Sequence, residues 1–557
     1  MRRRSLRFGS VAGLPVVAAA VGVLAWGCGG EGSAAPAIDA AAAGAAAEPG
    51  TIVVASTIDM RNVNELTADA TTLHTAIHYF LLFMTLLEEQ PDFHLGPPTF
   101  TPKLAKSYEF SGDRKTLTFQ LRDDVVWSDG EPVTAQDVRW TWQAQVHPDV
   151  AWGLADYKRH IRDVEVVDLH TVRFHFDKVF PTQLVAANLG VILPRHAWGR
   201  LPFSEWRTNA DWFRENLVVD GPFTLEAWEP GQRMVFRRNE RYYRPGFPRA
   251  ERIVLRVSPD RSSQLALLRS GAAHTIDWAR PADAKDLMKD PEIEIRKFIQ
   301  RGVYGVVWNV SDPLFADRDV RRALTLAIDR QSIIDSLYYG FANVSGSPYP
   351  SNLWVFNQDL EPWPHDPRRA RELLAAAGWS DADGDGVLDR GGKRFSFEIM
   401  TVAGNELRQD ILVMVQDQLA RIGVEVSQRP VEFNTFLGQA RSHEFAAAFS
   451  SLGLGTDLDL TSYFHSKAID GGYNLGVYSN PEVDRVLDEV MARMMDPQEA
   501  KPLYDRLQVL LREDLPLTPL YEAYLLIPVR KELRGIAPNA LSTFFGVEQW
   551  ELVDRRP

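Results

Sequence analysis

The chain has 557 residues, a length that exceeds one hydrophobic core and predicts two or three lobes. Hydrophobic residues make up 45% and charged residues 24%, which is typical of soluble globular proteins. The formal net charge is -13 and no basic patch stands out, so the sequence argues against nucleic acid as a partner.

Residues 1–27 have the layout of a secretory signal. Arginines begin the stretch, and an apolar run over residues 11–25 is shorter than the about 20 residues that a membrane-spanning helix needs. The only cysteine, Cys28, follows directly, and the stretch resembles a bacterial lipoprotein signal. Ala25 and Trp26 depart from that pattern, which prefers Leu and then a small residue. Lipidation of Cys28 is the favoured interpretation, and an ordinary cleaved signal followed by an unused cysteine is the alternative.

Export places the protein in the periplasm or at the cell surface, anchored to the membrane if Cys28 carries lipid. A single cysteine excludes a disulfide within the chain and a thiolate metal cluster. Residues 28–50 are rich in Gly, Ala, Ser, Pro and Glu, a composition that cannot bury enough apolar surface to offset the entropy of ordering. We therefore predict a flexible tether there.

The first half of the folded body contains clear secondary-structure signals. TIVVAS at residues 51–56 is a β-branched run typical of a strand, and residues 74–89 predict a helix from their apolar composition. In residues 107–122, apolar and polar side chains alternate before and after the turn residues SGD, a pattern that predicts a β-hairpin. Thr134 and Asp137 have the spacing of a capping box at the start of a helix.

The second half of the folded body contains similar signals for the starts and ends of helices and strands. Asp366 and Pro367 predict a helix start, and Gly378 predicts its end. RFSFEIM, at residues 394–400, alternates like a strand, and Asn480 should cap a further helix. Strands and helices alternate without a short repeat, which predicts an α/β body of mixed sheets.

DADGDGVLDR, at residues 381–390, begins like a calcium loop. Its position 12 should be a bidentate Glu, but the chain has Gly392 there. We interpret the segment mainly as a surface turn, with a structural calcium as the alternative, and we predict no cofactor. The acidic ligands of such a loop would be Asp381, Asp383, Asp385 and Asp389.

Motifs of common enzyme classes are missing from the sequence. We find no G-x-S-x-G elbow, no H-E-x-x-H, no phosphate loop and no G-x-G-x-x-G after a strand. We therefore predict a protein that is not an enzyme. Active sites also assemble from distant residues, so an exported hydrolase that uses a pair of cleft carboxylates remains an alternative.

Four longer segments carry a family resemblance. Residues 104–143, 220–244, 307–334 and 471–489 include DGPFTLEAWEPG, DRDVRRALTLAIDR and YSNPEVD. Together, and in this order, they resemble the bacterial extracellular solute-binding proteins of family 5, the peptide- and nickel-binding group that serves ABC importers.

The resemblance implies an α/β, two-lobe periplasmic-binding-protein fold, of the Venus-flytrap kind, with a small extra lobe inserted in the first lobe. Ligand would bind in the cleft, and the lobes would close over it. The predicted boundaries are 51–95 for the first part of lobe I, 96–199 for the inserted lobe, 200–308 for the second part of lobe I, 309–518 for the second large lobe and 519–557 for the return to lobe I.

The function implied is capture of a small solute and its delivery to the permease subunits of an ABC importer. A short peptide is the favoured ligand, although a sugar, an opine-like compound or a metal chelate fits the family as well. The protein would act as a monomer. A family member that senses or chaperones, without a dedicated permease, is a further alternative.

The loop at residues 449–460 is where the resemblance places a ligand-binding carboxylate. Asp457 matches that place best and Asp459 is the rival. A carboxylate buried in a closed cleft is costly unless a cationic ligand group compensates it. Alternatively, Asp459 caps the next helix and Asp457 faces water. Leu454 stands where many relatives have an aromatic residue, which puts a peptide ligand in doubt.

The segment RGVYGVVWN, at residues 301–309, is predicted to cross into the second lobe. Tyr304 and Trp308 lie four residues apart and would face one side of a strand. They either line the cleft for stacking or belong to the core. Tyr521 and Tyr524, on the returning segment, are weaker candidates of the same kind.

Overall fold

The computed structural model of the protein describes residues 50–67 and 75–553. Cys28, the predicted signal and nearly all of the predicted tether lie outside these residues. A helix with the length and apolar character of a membrane span does not occur in the part of the chain that the structure describes.

The described residues form 22 strands. They are β1 (Thr51–Ser56), β2 (Leu87–Glu89), β3 (Phe100–Pro102), β4 (Ala105–Phe110), β5 (Thr116–Leu121), β6 (Ile161–Asp168), β7 (Thr171–Phe176), β8 (Phe223–Glu229), β9 (Arg233–Arg238), β10 (Arg252–Val257), β11 (Thr275–Ile276), β12 (Ile293–Ile299), β13 (Gly302–Trp308), β14 (Ala342–Val344), β15 (Asp389–Arg390), β16 (Lys393–Arg394), β17 (Ser396–Val402), β18 (Glu425–Val431), β19 (Ala447–Gly453), β20 (Leu517–Arg530), β21 (Leu533–Arg534) and β22 (Glu551–Leu552).

The same residues form 14 α-helices, together with short 3-10 and π segments. They are α1 (Ala135–Val146), α2 (Gln183–Asn188), α3 (Arg195–Trp198), α4 (Ala210–Glu215), α5 (Arg261–Ser270), α6 (Pro281–Leu287), α7 (Arg318–Ala327), α8 (Arg330–Ile333), α9 (Pro367–Ala376), α10 (Glu406–Ala420), α11 (Phe433–Arg441), α12 (Thr461–Phe464), α13 (Pro481–Arg493) and α14 (Pro497–Asp514).

The central sheet joins two halves of the molecule through one long strand. Its main path runs β18-β17-β19-β13-β20-β11-β1-β10-β9-β8, and β12 and β14 also pair with β20. The first part of β20 pairs with β13 and β14, and its last seven residues pair with β12. We call the half on β1 and β8–β12 the first lobe, and the half on β13, β14 and β17–β19 the second lobe.

Each lobe has its own hydrophobic interior. Ile52, Leu255 and Phe236 belong to a core of the first lobe, whereas Val306 and Ile399 belong to a core of the second. Separate apolar cores joined by few strands are what a chain of this length requires. The two-lobe α/β architecture predicted from the sequence is therefore confirmed.

A four-stranded antiparallel sheet, β4-β5-β7-β6, lies beside the first lobe. It contains the predicted hairpin, since β4 and β5 pair antiparallel. Phe119 and Phe174 of this sheet are buried in the same core as Ile52 of β1. The small sheet falls within residues 96–199, where an inserted lobe was predicted; the boundaries themselves stay a prediction.

Several helix ends follow the predicted chemistry. Thr134 and Asp137 form the capping box of α1. Asp366 accepts a hydrogen bond from the backbone amide of Arg369 at 2.9 Å, which caps α9. Gly378 has a positive φ of 84°, a conformation that favours glycine.

The helix predicted over residues 74–89 is wrong beyond Leu82. The described helical residues end there in a π turn, Phe83 is extended, and β2 begins at Leu87. Tertiary hydrogen bonds explain the early end, because Asp220 accepts from the Met84 amide at 2.9 Å and the Gly221 amide donates to the Leu82 carbonyl at 2.8 Å. Helix propensity is a weak preference that such contacts override.

Candidate functional site

The chain crosses between the lobes at two adjacent places. Residues 300–301 link β12 to β13, and β20 runs through beside them. The Gln300 amide donates to the Ala523 carbonyl at 3.1 Å. Just inside the second lobe, Tyr304 pairs in register with Tyr521, and their rings stack at a centroid distance of 5.0 Å.

A hairpin outside the central sheet reaches the second lobe next to these crossings, and we assign it to the first lobe because its Leu87 is buried in the same core as Ile52. We call residues 87–102, which contain β2 and β3, the interlobe hairpin. Its Phe93 is buried among second-lobe residues such as Leu454 and Leu458, and its carbonyl accepts from the Trp354 amide at 2.8 Å. The tip of the hairpin therefore forms a direct contact between the two lobes.

Arg301 lies at the centre of a charged cluster at this contact. Its Nη1 donates to Thr456 Oγ1 at 3.4 Å, and Thr456 Oγ1 donates to Oε2 of Glu89 at 3.3 Å. The guanidinium also lies over the ring of Phe93, 4.8 Å from its centroid. Glu89 and Phe93 belong to the interlobe hairpin and Thr456 to the second lobe, so Arg301 contacts both sides.

Asp457 adds a second carboxylate to this cluster. Burial raises its pKa to about 6, the negative charge of Asp459 adds to the rise, and the positive charge of Arg301 opposes it. Its Oδ1 accepts a long bond, 3.4 Å, from the Asp459 amide. The carboxylate is thus held in a desolvated place without strong donors, which favours a cationic partner.

Two further carboxylate oxygens in the cluster are buried without a hydrogen-bond partner among the described residues. They are Oε1 of Glu89 and Oδ1 of Asp92. Burial raises the pKa of Glu89, and the charges of Asp92 and Asp457 raise it further against the effect of Arg301. Unsatisfied buried acceptors are costly, so a bound donor would stabilise this arrangement of the cluster. Glu89, Asp92 and Asp457 outnumber the one guanidinium of Arg301, so the group that fits is a cation.

Asp459 has a structural partner in the chain itself. Its Oδ1 accepts from the Thr461 amide at 2.7 Å, directly before α12. Leu460 is the N-cap of this helix, so Asp459 satisfies the first helical amide from the preceding residue and is not the cap that the sequence left open as the alternative to ligand contact. Burial raises the pKa of Asp459, whereas its hydrogen bonds with Thr461 lower it.

The other predicted site residues are distributed between the cluster and the core. Leu454 is buried, and its amide donates to the Arg301 carbonyl at 2.8 Å, so it borders the cluster. Tyr304 is half-buried and its hydroxyl donates to Gln300 at 3.2 Å. Tyr521 is 1% exposed beneath it.

Trp308 belongs to the core of the second lobe. Its side chain is 0% exposed, and its indole Nε1 donates to Thr518 Oγ1 at 2.9 Å. Phe315 and Phe397 pack against the ring. Of the two alternatives for this residue, the structure favours core packing over a place on the cleft wall.

Sequence reasoning missed Glu89, Asp92 and Thr456 as site residues and named Arg301 only as the start of a crossing strand. Glu89 fell inside a segment that was predicted to be helical. Thr456 and Glu89 are 367 positions apart, so no local pattern pointed to their contact. An isolated arginine at a predicted lobe crossing was the one available signal.

The DADGDG segment forms an exposed turn between α9 and β17 whose carboxylates have partners. Asp381 accepts from the amides of Gly384 at 2.8 Å and Gly386 at 3.1 Å, and Asp385 is paired with Arg394. The side chains of Asp381, Asp383 and Asp385 come within 4.8 Å of one another, close enough to share an ion. Asp389 instead pairs through its backbone with Ser380.

Three comparisons place this architecture among known proteins. Residues 99–473 match the family described as bacterial extracellular solute-binding proteins, family 5, middle. The chain is 28% identical to oligopeptide-binding protein AppA of Bacillus subtilis over 519 residues, 92% of this chain and 93% of that protein. It is 26% identical to heme-binding protein A of Haemophilus influenzae, over 82% of this chain and 85% of that protein.

Solved structures agree with the sequence comparison. AppA of Bacillus subtilis in complex with a nonapeptide superposes with a TM-score of 0.72, at 28% identity, and the match covers 90% of this chain and 99% of AppA. NikA of Brucella suis in complex with Fe(III)-EDTA gives a TM-score of 0.78 at 20% identity, covering 90% of this chain and 100% of NikA, a likeness of fold.

Proposed function

Because this chain belongs to the bacterial extracellular solute-binding proteins of family 5, we propose that it captures a small solute between its lobes and delivers it to an ABC importer. A short peptide is the favoured solute class. The likeness to AppA, whose solved complex holds a nonapeptide, supports this class. The heme-binding relative and the NikA complex with Fe(III)-EDTA mark the breadth of the family.

The observation that carries the proposal is the carboxylate cluster at the lobe contact. Glu89 and Asp92 come from the first lobe and Asp457 from the second. Glu89 and Asp92 each have a buried oxygen without a hydrogen-bond partner among the described residues. A protonated amine placed between them would bond to both lobes only when the lobes are closed. Shifting a two-state equilibrium from 1:99 to 99:1 requires a preference of about 5.5 kcal/mol, which contacts to both sides can supply.

Asp457 is the proposed ligand carboxylate. Leu454 borders the cluster through its bond to Arg301, and Tyr304 and Tyr521 stack at the lobe crossing. Asp459 is the weaker candidate, because its carboxylate already accepts a hydrogen bond from the Thr461 amide. Arg301 would balance part of the negative charge in the empty site and keep the cluster stable before the amine arrives. In this proposal Trp308 does not contact the solute. It packs in the core of the second lobe and supports β13, the strand that carries Tyr304.

Two features outside the described residues complete the proposed mode of action. Lipid on Cys28 would anchor the exported protein, and the tether over residues 28–50 would hold the lobes near the membrane. A flexible chain of that length spans roughly 25 Å, a reach that lets a monomer approach a permease. Globomycin treatment of expressing cells should leave the precursor uncleaved if Cys28 is the lipidation site, and Cys28→Ala should prevent lipid labelling.

The test of solute capture uses peptides whose amino group is either free or acetylated. We expect calorimetry to show saturable binding of triglycine or longer free-amine peptides with a stoichiometry of one. Acetylation should weaken binding by about tenfold or more, since it removes a charge-assisted contact. Equal affinity for the free-amine and the acetylated peptide would contradict recognition of the amino group. Cleavage of the peptide would contradict a protein that binds its solute without altering it.

A further inference from the structure

The second lobe contains an apolar cavity apart from the carboxylate cluster. It encloses about 700 Å³, counting the part that opens to solvent. Its floor is the face of β13 and β19 that carries Val307, Ser450 and Leu452, and its walls include Phe433 and Tyr473.

The cavity exists because small and large residues alternate around it. Ser450 lies opposite Gly305 in the strand register, and these two small residues leave space above the sheet at that point. Phe433 and Leu437 of α11 face it from one side, and Tyr463 and Tyr473 face it from the other. The two tyrosine rings approach each other at 6.0 Å between centroids. Such a lining suits an aromatic or aliphatic group.

The walls are held in place by hydrogen bonds of the lining residue Asn474. The Asn474 side-chain amide donates to the His465 carbonyl at 3.1 Å and to the Tyr478 carbonyl at 2.7 Å. Its oxygen accepts from the Tyr478 amide at 2.9 Å. Arg441 of α11 lies over the ring of Tyr473, 4.6 Å from its centroid. A wall fixed in this way is formed before any ligand arrives, which lowers the cost of binding.

One side chain connects the cavity to the loop that carries Asp457. The Tyr463 hydroxyl donates to the Gly453 carbonyl at 2.9 Å and accepts from the Gly453 amide at 3.3 Å. Gly453 ends β19, and the loop to Asp457 begins at the next residue. Burial raises the pKa of Tyr463 to about 12, and the charges of Asp457 and Asp459 are close enough to contribute. The cavity and the carboxylate cluster are thus neighbours on one strand end.

We propose that this cavity is a binding subsite that takes an aromatic or aliphatic side group of the captured solute. The inference rests on the proposed function, since it assigns the solute's amine to the carboxylate cluster and its apolar group to the second lobe. Among amine solutes, it favours those that carry at least one apolar side group over those that carry none.

Indole serves as the probe of the cavity, measured by saturation-transfer NMR. It should bind the wild-type protein, and Ser450→Leu and Leu437→Trp should each weaken that binding by about tenfold or more, because both fill the space. Ser450 lies in the floor of the cavity and Leu437 in a wall, so one variant remains informative if the other does not fold. Val413→Trp, on an exposed face of α10, is the matched control and should bind indole like the wild type.

Competition with peptides then tests whether the cavity belongs to solute capture. Triphenylalanine should displace indole, whereas triglycine should not. Failure of indole to bind, or unchanged binding in both filled variants, would overturn the proposed subsite. Capture of triphenylalanine without displacement of indole would overturn it as well. If neither peptide is captured, the proposed function fails, and the indole titrations of the two variants still decide whether the cavity binds apolar groups.

Discussion

Thr456 of the second lobe donates its side-chain hydroxyl to Oε2 of Glu89 on the interlobe hairpin, at 3.3 Å. The same hydroxyl accepts from Arg301 at 3.4 Å. The contact therefore joins a strand end of one lobe, a hairpin of the other and the crossing segment between them. Through Thr456, the relative position of the two lobes is therefore linked to the charged side chains Glu89 and Arg301 of the proposed ligand site.

Removing this hydroxyl should shift the lobes toward an open arrangement. A single hydrogen bond contributes about 0.5–1.5 kcal/mol, so Thr456→Val should weaken the binding of a free-amine peptide by about 2- to 10-fold. Small-angle scattering of the ligand-free variant should show a larger radius of gyration. Thr435→Val, exposed on α11, is the control and should change neither quantity. An unchanged radius and affinity for Thr456→Val would show that the contact does not control closure.

The pH dependence of binding should follow the ionisation of Asp457. Its pKa is about 6, and only its ionised form attracts a protonated amine. Affinity should therefore be constant above pH 7 and fall toward about tenfold per pH unit well below pH 6. Asp457→Asn should bind more weakly at neutral pH and lose the slope. Asp470→Asn, at an exposed position, should retain it.

Stability of the ligand-free protein should change with pH in the opposite direction. The pKa of Asp457 is raised above its value in the unfolded chain, 3.8, so the folded state binds more protons between about pH 4 and pH 6. The free energy of unfolding should then decrease as the pH rises through this window. Urea titrations at several pH values should show this decrease in the wild type and a smaller one in Asp457→Asn. Identical slopes in both proteins would contradict the buried carboxylate.

Substitution of Trp308 should separate core packing from ligand contact. Trp308→Phe removes the indole bond to Thr518 and part of the packing on Phe315, which should cost about 1–3 kcal/mol of stability. Peptide affinity, measured where the variant is fully folded, should stay the same, because the Trp308 ring does not reach the carboxylate cluster. Tyr304→Leu is the comparison, since Tyr304 is half-buried beside Tyr521 at the lobe crossing. A loss of affinity in Trp308→Phe at temperatures where it is folded would place the indole in the cleft.

The fold was predictable from the sequence to the extent that its signals were local. The capping box at Thr134, the cap at Asp366 and the left-handed Gly378 depend on neighbours within a few residues, and the structure confirms them. The segment after Leu82 was mispredicted, since its conformation depends on Asp220, 136 positions from Met84. Helical propensity carries no information about such a partner.

The candidate site was predictable only in part, for the same physical reason. The resemblance pointed to Asp457, whose surroundings combine burial with like charge. Its companions Glu89 and Thr456 meet in a contact of very long sequence separation. The apolar cavity depends on how α11 and the segment around Tyr473 pack over β19, and side-chain order along one strand does not reveal it.

Calcium should not stabilise the DADGDG turn. The Asp381 carboxylate already accepts two backbone amides and Asp385 is paired with Arg394, while position 12 lacks the bidentate Glu. Melting temperatures in millimolar calcium and in chelator should therefore agree. Asp381→Ala should lower the melting temperature equally in both solutions, because it removes bonds within the turn. A higher melting temperature in calcium that Asp381→Ala abolishes would identify a calcium site.

A buried lysine within residues 96–199, the predicted inserted lobe, should give the protein a second pH response. Lys158 is 2% exposed, and its Nζ donates to the Leu189 carbonyl at 2.6 Å and the Ala187 carbonyl at 3.4 Å. Burial lowers its pKa to about 7, against the attraction of Glu65. Between pH 7 and about pH 10 the unfolded chain therefore binds more protons at this residue than the folded protein.

The free energy of unfolding contributed by Lys158 should consequently rise with pH over that interval. Lys158→Met keeps the aliphatic stem and removes the titrating amine, so its stability should increase less from pH 7 to pH 9 than that of the wild type. Lys115→Met, at an exposed position of the same lobe, should follow the wild-type curve. Parallel curves for wild type and Lys158→Met would mean that the amine stays protonated in the folded protein, held by Glu65 despite its burial.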